Sequence, residues 1–429
     1  MSPAGSNLAA WLSRLETFSP HEIELGLERV LAVLERLDLS LPELVLHVAG
    51  TNGKGSSVAM AQALLTAAGL RTGTYTSPHI VAFNERIAID GVAVGDDEIV
   101  AAFERVDAHR RDTPLTYFEV ATLAALVIFA AHELDALVLE IGMGGRLDAV
   151  NAVEPAAGLI TNVSLDHCEW LGNTVEAIAR EKAGIMRPAK PVVFAADDPP
   201  STILAYADEV GADLVLAGRD FTWQGGAGDW AWQGRSTAFE GLAFPGLPGD
   251  FQLRNAAGVL ALLEAAGVIG RLDAAAISRA LAATRLAGRL QQVERERLWL
   301  LDVAHNPAAA RVLGGVLAAT PFAGRTVAIL GVLDDKDVEG IVEPLARHVD
   351  NWIAVTAASP RAIDAAELAR RVANCSNAAC LIADSLEAAM AHARDVSAAG
   401  DRVLVTGSFY LVGPALEALG LYSRGLGNS

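Results

Sequence analysis

The chain has 429 residues, 52% hydrophobic and 20% charged, with a formal net charge of −19. Its length exceeds one average core and predicts two domains. The acidity argues against bulk nucleic-acid binding, which needs a basic surface, so no nucleic-acid partner is expected.

The positive mean hydropathy, +0.33, requires a test for membrane spans. The longest apolar stretch, Val120 to Ala131, is interrupted by Thr122 and flanked by Glu119 and Glu133. It is too short to cross a bilayer and reads as a buried helix, so no membrane partner is expected. Met1-Ser2-Pro3-Ala4-Gly5 lacks a basic flank ahead of an apolar run and predicts no signal peptide. Cys168, Cys375 and Cys380 show no zinc spacing, and their odd number argues against a disulfide framework. A reducing cytoplasm fits best.

In chain order, residues 21–38 predict an amphipathic helix, with Ile23, Leu25, Leu27, Val30, Leu31, Val33 and Leu34 apolar. Strands are predicted at Leu44–Val48, Thr72–Thr76, Ala136–Ile141, Ala157–Asn162, Pro191–Ala195 and Asp213–Ala217. Helices are predicted at Ser56–Ala68, Asp96–Arg110, Phe118–Glu133, Thr174–Gly184 and Thr202–Val210. This alternation predicts an α/β fold, a mostly parallel sheet with helices on both faces. Residues 219–250, with Trp223, Trp230, Trp232 and several glycines, predict short antiparallel strands or an exposed β subdomain. Helices follow at Asn255–Ala266 and Asp273–Ala283, then a junction at Thr284–Leu290. The alternation restarts with strands at Leu298–Val303, Thr326–Gly331, Asn351–Val355 and Arg402–Thr406. Its helices are Pro307–Ala318, Val338–Ala346, Ala365–Val372 and Ser385–Arg394.

Six segments carry chemistry. Val45 to Val58 runs from an apolar strand through Gly50-Thr51-Asn52-Gly53-Lys54-Gly55-Ser56 into a helix. Backbone N–H groups in such a loop cradle phosphate, the lysine adds charge, and serine reaches magnesium. Two residues separate Gly50 from Gly53-Lys54 where the usual phosphate loop has four. Thr76-Ser77-Pro78-His79 ends the next strand, where α/β proteins place ligands. Glu140, before Ile141-Gly142-Met143-Gly144-Gly145-Arg146-Leu147-Asp148, interrupts a buried-strand pattern. Its carboxylate needs a cation: a metal, or Arg146 in a structural pair. Leu165-Asp166-His167 follows another strand. Arg180-Glu181-Lys182-Ala183-Gly184-Ile185 alone reads as a solvated helix end. Leu301-Asp302-Val303-Ala304-His305-Asn306-Pro307 places an acid and a histidine at a strand end in the second half, which predicts an active site between domains.

Taken together, in this order and across nearly the whole chain, the segments resemble the folylpolyglutamate synthase/dihydrofolate synthase family of the Mur ligase superfamily. The resemblance implies a P-loop-type, mostly parallel N-terminal ATPase domain over residues 1–287. A smaller Rossmann-like α/β glutamate ligase domain follows over residues 288–429. It implies a monomeric, cytoplasmic, ATP- and Mg2+-dependent ligase that joins L-glutamate to dihydropteroate and to reduced folates through an acyl phosphate.

By the resemblance, Asn52, Gly53, Lys54, Gly55, Ser56, Asn255, Arg289 and Asp302 bind the nucleotide. Ser77, Glu140 and His167 are metal ligands. Lys54, Lys182 and His305 are catalytic positions, with Lys182 matching a carbamylated lysine that supports a second metal. Gly26-Leu27-Glu28-Arg29-Val30 resembles a dihydropteroate-binding helix, and Thr116-Tyr117-Phe118 a pterin-stacking segment. Gly26, Leu27, Arg29, Val30, Thr116, Tyr117 and Phe118 are therefore substrate candidates and favour the bifunctional enzyme. A monofunctional polyglutamylase, a UDP-substrate Mur ligase and a nucleotide-switched binding protein are the alternatives.

Overall fold

The computed structural model describes residues 7–15, 18, 24–320, 322–376 and 378–422. Its first sheet contains β1 (Leu44–Ala49), β2 (Thr72–Tyr75), β3 (Ile87–Ile89), β4 (Val92–Ala93), β5 (Ala136–Glu140), β6 (Ala157–Ile160), β7 (Pro191–Phe194) and β8 (Asp213–Leu216). The spatial order is β4-β3-β2-β5-β1-β6-β7-β8. Only β3 and β4 run antiparallel to their neighbours. The five residues of β5 are all buried, because parallel strands covered by helices on both faces must be apolar throughout. The helices Glu28–Leu37, Asp96–Arg110 and Tyr117–Ala131 cover one face. Lys54–Ala67, Phe251–Ala265 and Ala274–Ala283 cover the other.

Strands β9 (Thr222–Gly225), β10 (Trp230–Gln233) and β11 (Ala238–Leu242) form a separate antiparallel sheet. It is not an exposed subdomain. Trp230 and Trp232 are buried, and the Trp232 indole donates to the Ala257 carbonyl at 3.1 Å, docking the sheet on the helix Phe251–Ala265.

The last sheet comprises β12 (Gln291–Glu294), β13 (Leu298–Leu301), β14 (Thr326–Leu330), β15 (Asn351–Val355), β16 (Ala379–Ala383) and β17 (Arg402–Thr406). Its order is β12-β13-β17-β14-β15-β16, parallel except for β12. The helices Pro307–Ala319, Val338–Ala346 and Ala365–Cys375 pack on one face, and Leu386–Val396 and Phe409–Ala418 on the other.

The structure corrects several boundaries. The predicted 21–38 helix runs only from Glu28 to Leu37; residues 21–23 lie outside the described residues, and residues 24–27 are not helical. Gly26 disfavours helix, and Arg29 holds the lead-in by donating to the Glu24 carboxylate and carbonyl, both at 2.8 Å. The phosphate-loop helix starts at Lys54 rather than Ser56, because Gly53 at φ 87° turns the chain directly into it. The helix Leu8–Leu15, the β3–β4 hairpin, β12, β16 and the helix Phe409–Ala418 were not predicted. Strands this short carry too few residues to show a period. Among the described residues, no helix is long and apolar enough to cross a membrane. The helix Tyr117–Ala131 is apolar all round because protein surrounds it.

Candidate active site

Strand ends build the site. β1 runs into the phosphate loop, and the end of β6 holds that loop in shape. Thr161 Oγ1 and Asn162 Nδ2 donate to the Asn52 carbonyl at 2.7 and 2.8 Å. Thr51 Oγ1 and the Ser164 backbone exchange hydrogen bonds at 3.1 and 3.0 Å. Gly50 at φ 144° lies so close to Thr161 that a Cβ there would collide with its hydroxyl. Two residues between Gly50 and Gly53 suffice because β6 supplies the support. Lys54 Nζ donates to the Thr51 carbonyl at 3.2 Å.

Asn52, Gly53, Lys54, Gly55, Ser56, Ser77, Glu140, His167, Asn255, Arg289, Asp302 and His305 all line one cleft of about 310 Å3. Twelve positions chosen from sequence thus converge on one surface. Asn255 Oδ1 is buried without a hydrogen-bond partner, while its amide nitrogen donates to Gln252 Oε1 at 2.9 Å. Asp302 accepts from the Leu290 and Ala304 N–H groups at 2.9 and 2.8 Å. The Arg289 guanidinium lies 5.1 Å from the Phe409 ring centroid, and burial lowers its pKa against the pull of Asp302 and Glu140.

Glu140 is 5% exposed and accepts one hydrogen bond, from the Ser77 N–H at 3.3 Å. Burial pushes its carboxyl up to about 6 although Lys54 opposes this. Arg146 is not its partner; it pairs with Glu181 at 2.8 Å instead. His167 takes a left-handed φ of 52°, and burial lowers its ring to about 4, so it stays neutral and able to ligate metal. Among the described residues, no three His, Cys, Asp or Glu side chains form a metal cluster. Ser77, Glu140 and His167 combine one hydroxyl, one carboxylate with no ion-pair partner among the described residues and one neutral imidazole. This donor set fits magnesium whose remaining positions are filled by phosphate oxygens and water.

Lys182 does not line the cleft. It is 4% exposed, and burial, reinforced by Lys54, lowers its ammonium to about 7. The substrate candidates form a neighbouring group. Arg29 Nη2 donates to Glu119 at 2.9 Å and ties the helix Glu28–Leu37 to the segment containing Tyr117 and Phe118. Thr116 caps the helix Tyr117–Ala131, accepting from the Glu119 N–H at 3.3 Å. Phe118 packs so tightly on Gly142, which lines the cleft, that a Cβ there would strike its ring. Leu27 is partly exposed, while Gly26 is buried ahead of the helix. Val30 is completely buried in the core, so it packs against protein rather than substrate.

Asp166 and Lys336 also line the cleft, and Asn306 hydrogen-bonds to Asp166 beside it, but none of the three was named from the sequence as a site residue. Asp166 accepts from Lys336 Nζ and Asn306 Nδ2, both at 2.8 Å, and lies 3.6 Å from His305 Nε2. Burial opposes its ionisation, but His305, His167 and Lys336 hold its carboxyl well below the usual carboxylate range. Asn52 and Asn306 exchange amide hydrogen bonds at 3.2 and 3.0 Å. Two of these residues stood inside quoted motifs. The signal for the third was one lysine among Asp334, Asp335 and Asp337 just after β14.

The Mur ligase middle domain family matches residues 48–263, and the Mur ligase glutamate ligase domain family matches residues 288–409. The dihydrofolate synthase/folylpolyglutamate synthase of Escherichia coli (strain K12) is 40% identical over 97% of this chain and 96% of its own length. The structure of E. coli FolC in complex with DHPP and ADP is 39% identical, with a TM-score of 0.92 over 98% of this chain and 99% of that one. A bifunctional folylpolyglutamate synthase/dihydrofolate synthase with Mn, AMPPNP and L-glutamate bound is 40% identical, with a TM-score of 0.90 over 98% of this chain and all of that one. Strand ends, cleft and whole-length similarity agree: this chain belongs to the dihydrofolate synthase/folylpolyglutamate synthase family of Mur ligases.

Proposed function

We propose that this chain couples ATP cleavage to amide formation, joining L-glutamate to dihydropteroate to give dihydrofolate and to reduced folates to lengthen their glutamate chains. The observation that carries this reading is the single cleft in which the phosphate loop and Glu140 face Arg289, Asp302 and His305. The ligands named for the related structures, DHPP, ADP, AMPPNP, Mn and L-glutamate, match the substrates and metal of this reaction.

A carboxylate oxygen of the acceptor attacks the γ-phosphorus, and ADP leaves. The amine of glutamate then attacks the carbonyl carbon of the acyl phosphate, loses a proton, and phosphate departs. Phosphorylation is required because oxide is a poor leaving group. Lys54 and the loop N–H groups neutralise charge as two anions meet, and Arg289 adds a second cation from the opposite side. Asn255 presents its free Oδ1 to the nucleotide, and His305 faces the incoming glutamate. Ser77, Glu140 and His167 would hold magnesium, which supplies further positive charge to the phosphates.

Lys182 is part of the same reading. An amine near pKa 7 is partly unprotonated at neutral pH, so its lone pair can add to CO2 with loss of a proton. The resulting carbamate would give a second metal its anionic ligand. A 13C carbamate resonance under labelled bicarbonate, absent from Lys182→Ala, is the expected signature; identical spectra would refute it. Division of the chain at residues 287 and 288 is supported by the separate sheets and by the second family match beginning at residue 288. Both sides of the cleft come from one chain, which supports action as a monomer. Free Cys168, Cys375 and Cys380 fit a reducing cytoplasm.

The test compares dihydropteroate with a reduced folate at fixed ATP and glutamate. Glutamate-dependent ADP release with both is expected. Release with the folate alone would leave only polyglutamylation, and release with neither would overturn the proposal.

A further inference from the structure

Arg86 closes the short turn Phe83–Arg86 ahead of β3. Its carbonyl accepts from the Thr76 N–H at 2.9 Å, placing its backbone beside the residue that precedes Ser77. The residue is only 8% exposed. Its Nε donates to His79 Nδ1 at 2.9 Å, and its guanidinium carbon lies 5.5 Å from the Phe83 ring centroid and 5.7 Å from that of Tyr117. Among the described residues, no carboxylate pairs with it and neither terminal nitrogen has a hydrogen-bond acceptor.

A buried charge without a counter-ion is costly, and two aromatic faces orient a guanidinium without neutralising it. His79 accepts the Nε–H of Arg86 through Nδ1, and this bond fixes the direction of the fork. The fork lies between two loci. At its backbone end is the Ser77–Glu140 contact; at its tip is Tyr117, which opens the helix Tyr117–Ala131. An acceptor stacked at Tyr117 and Phe118 carries a carboxylate at its other end, and Arg86 is a buried cation beside Tyr117.

We propose that Arg86 is a carboxylate-binding residue for the acceptor, its fork taking two carboxylate oxygens beside Tyr117. The inference rests on the function proposed above. Two sources share this chemistry: the carboxylate that is phosphorylated, present in every acceptor, and the spectator α-carboxylate, present only in folates that already carry glutamate.

The test uses Arg86→Gln and Arg86→Lys in the full chain. Steady-state constants are measured for dihydropteroate, a reduced folate, ATP and glutamate, alongside dihydropteroate binding without ATP. Losing a charge-assisted pair should raise acceptor KM roughly 10- to 100-fold in Arg86→Gln. KM for ATP should stay within about twofold, as it does for a change confined to the acceptor site. Arg86→Lys, which keeps the charge but loses the fork, should fall between wild type and Arg86→Gln and covers the case in which the glutamine variant fails to fold. A rise with both acceptors assigns the reacting carboxylate; a rise with the folate alone assigns the spectator. Unchanged acceptor KM with lowered thermal stability would make Arg86 an aromatic-stacked strut and overturn the proposal. Wild-type protein that releases ADP with neither acceptor would instead sink the parent function and this inference with it.

Discussion

On the cleft wall built by the first sheet, Glu140 and the underlying Lys182 are buried with no ion-pair partner among the described residues. Across the cleft, Asp302 accepts two backbone N–H groups, and Lys336 pairs with Asp335 at 3.1 Å and reaches back to Asp166 of the first wall at 2.8 Å. Glu140 and Lys182 leave charge for a ligand to satisfy; the Asp166–Lys336–Asp335 bridge satisfies its own and so fixes the geometry between the two walls. Uncompensated burial marks chemistry here, and compensated burial marks positioning. Both walls lie in a chain of net charge −19, so anion binding depends on local cations working against the overall field.

The comparison can be broken in four places. Lys54→Ala should cost the most, roughly a thousandfold in turnover or about 4 kcal/mol, with an unchanged melting temperature. Near-normal ADP release by that variant would remove the phosphate assignment. Next is Asp166→Asn, which leaves Lys336 with Asp335 alone and should destabilise the protein by about 3 kcal/mol in denaturant titrations. If it instead lowered only turnover, the Asp166–Lys336 bridge would be reactive rather than a scaffold.

Glu140→Gln gives a smaller effect of opposite sign. The folded-state pKa of about 6 lies above the ordinary 4.5, so Glu140 favours folding below pH 4.5 and loses that contribution as pH rises through 6. Asp148, raised to about 6 by burial, acts in the same direction. In chelator, Glu140→Gln should therefore gain about 2 kcal/mol relative to wild type between pH 4.5 and 7. A constant difference across that range would mean that a partner already compensates the carboxylate. Smallest is Arg146→Ala. Its bond to Glu181 is half-exposed, so less than about 1 kcal/mol of stability should be lost. A larger loss, visible in the same titrations, would restore Arg146 as a partner of the buried charges.

The α/β alternation was legible because buried parallel strands leave apolar runs and their helices leave 3.6-residue periods. Asp96–Arg110, Val338–Ala346, Asn351–Val355 and Arg402–Thr406 match their predicted ends. Edge strand β16 was not legible, because it exposes Leu381 and Ile382 and lacks the buried pattern. The candidate site was legible where motifs end strands, as at Lys54, Glu140 and Asp302. Lys336 and Arg86 were not, since an isolated cation in a sequence looks solvated until its surroundings are known.

By itself the sequence determined the order of strands and helices, the phosphate loop and the residue types available at each strand end. These are local properties, written in spacing and polarity. Tertiary structure alone decided that Arg146 turns to Glu181 while Glu140 has no ion-pair partner among the described residues, and that Asp166 meets Lys336 from 170 residues away. It also decided that Arg86 lies buried between Phe83 and Tyr117. Whether a charge is paired depends on what the fold brings within a few ångströms of it, and chain neighbours do not report that distance.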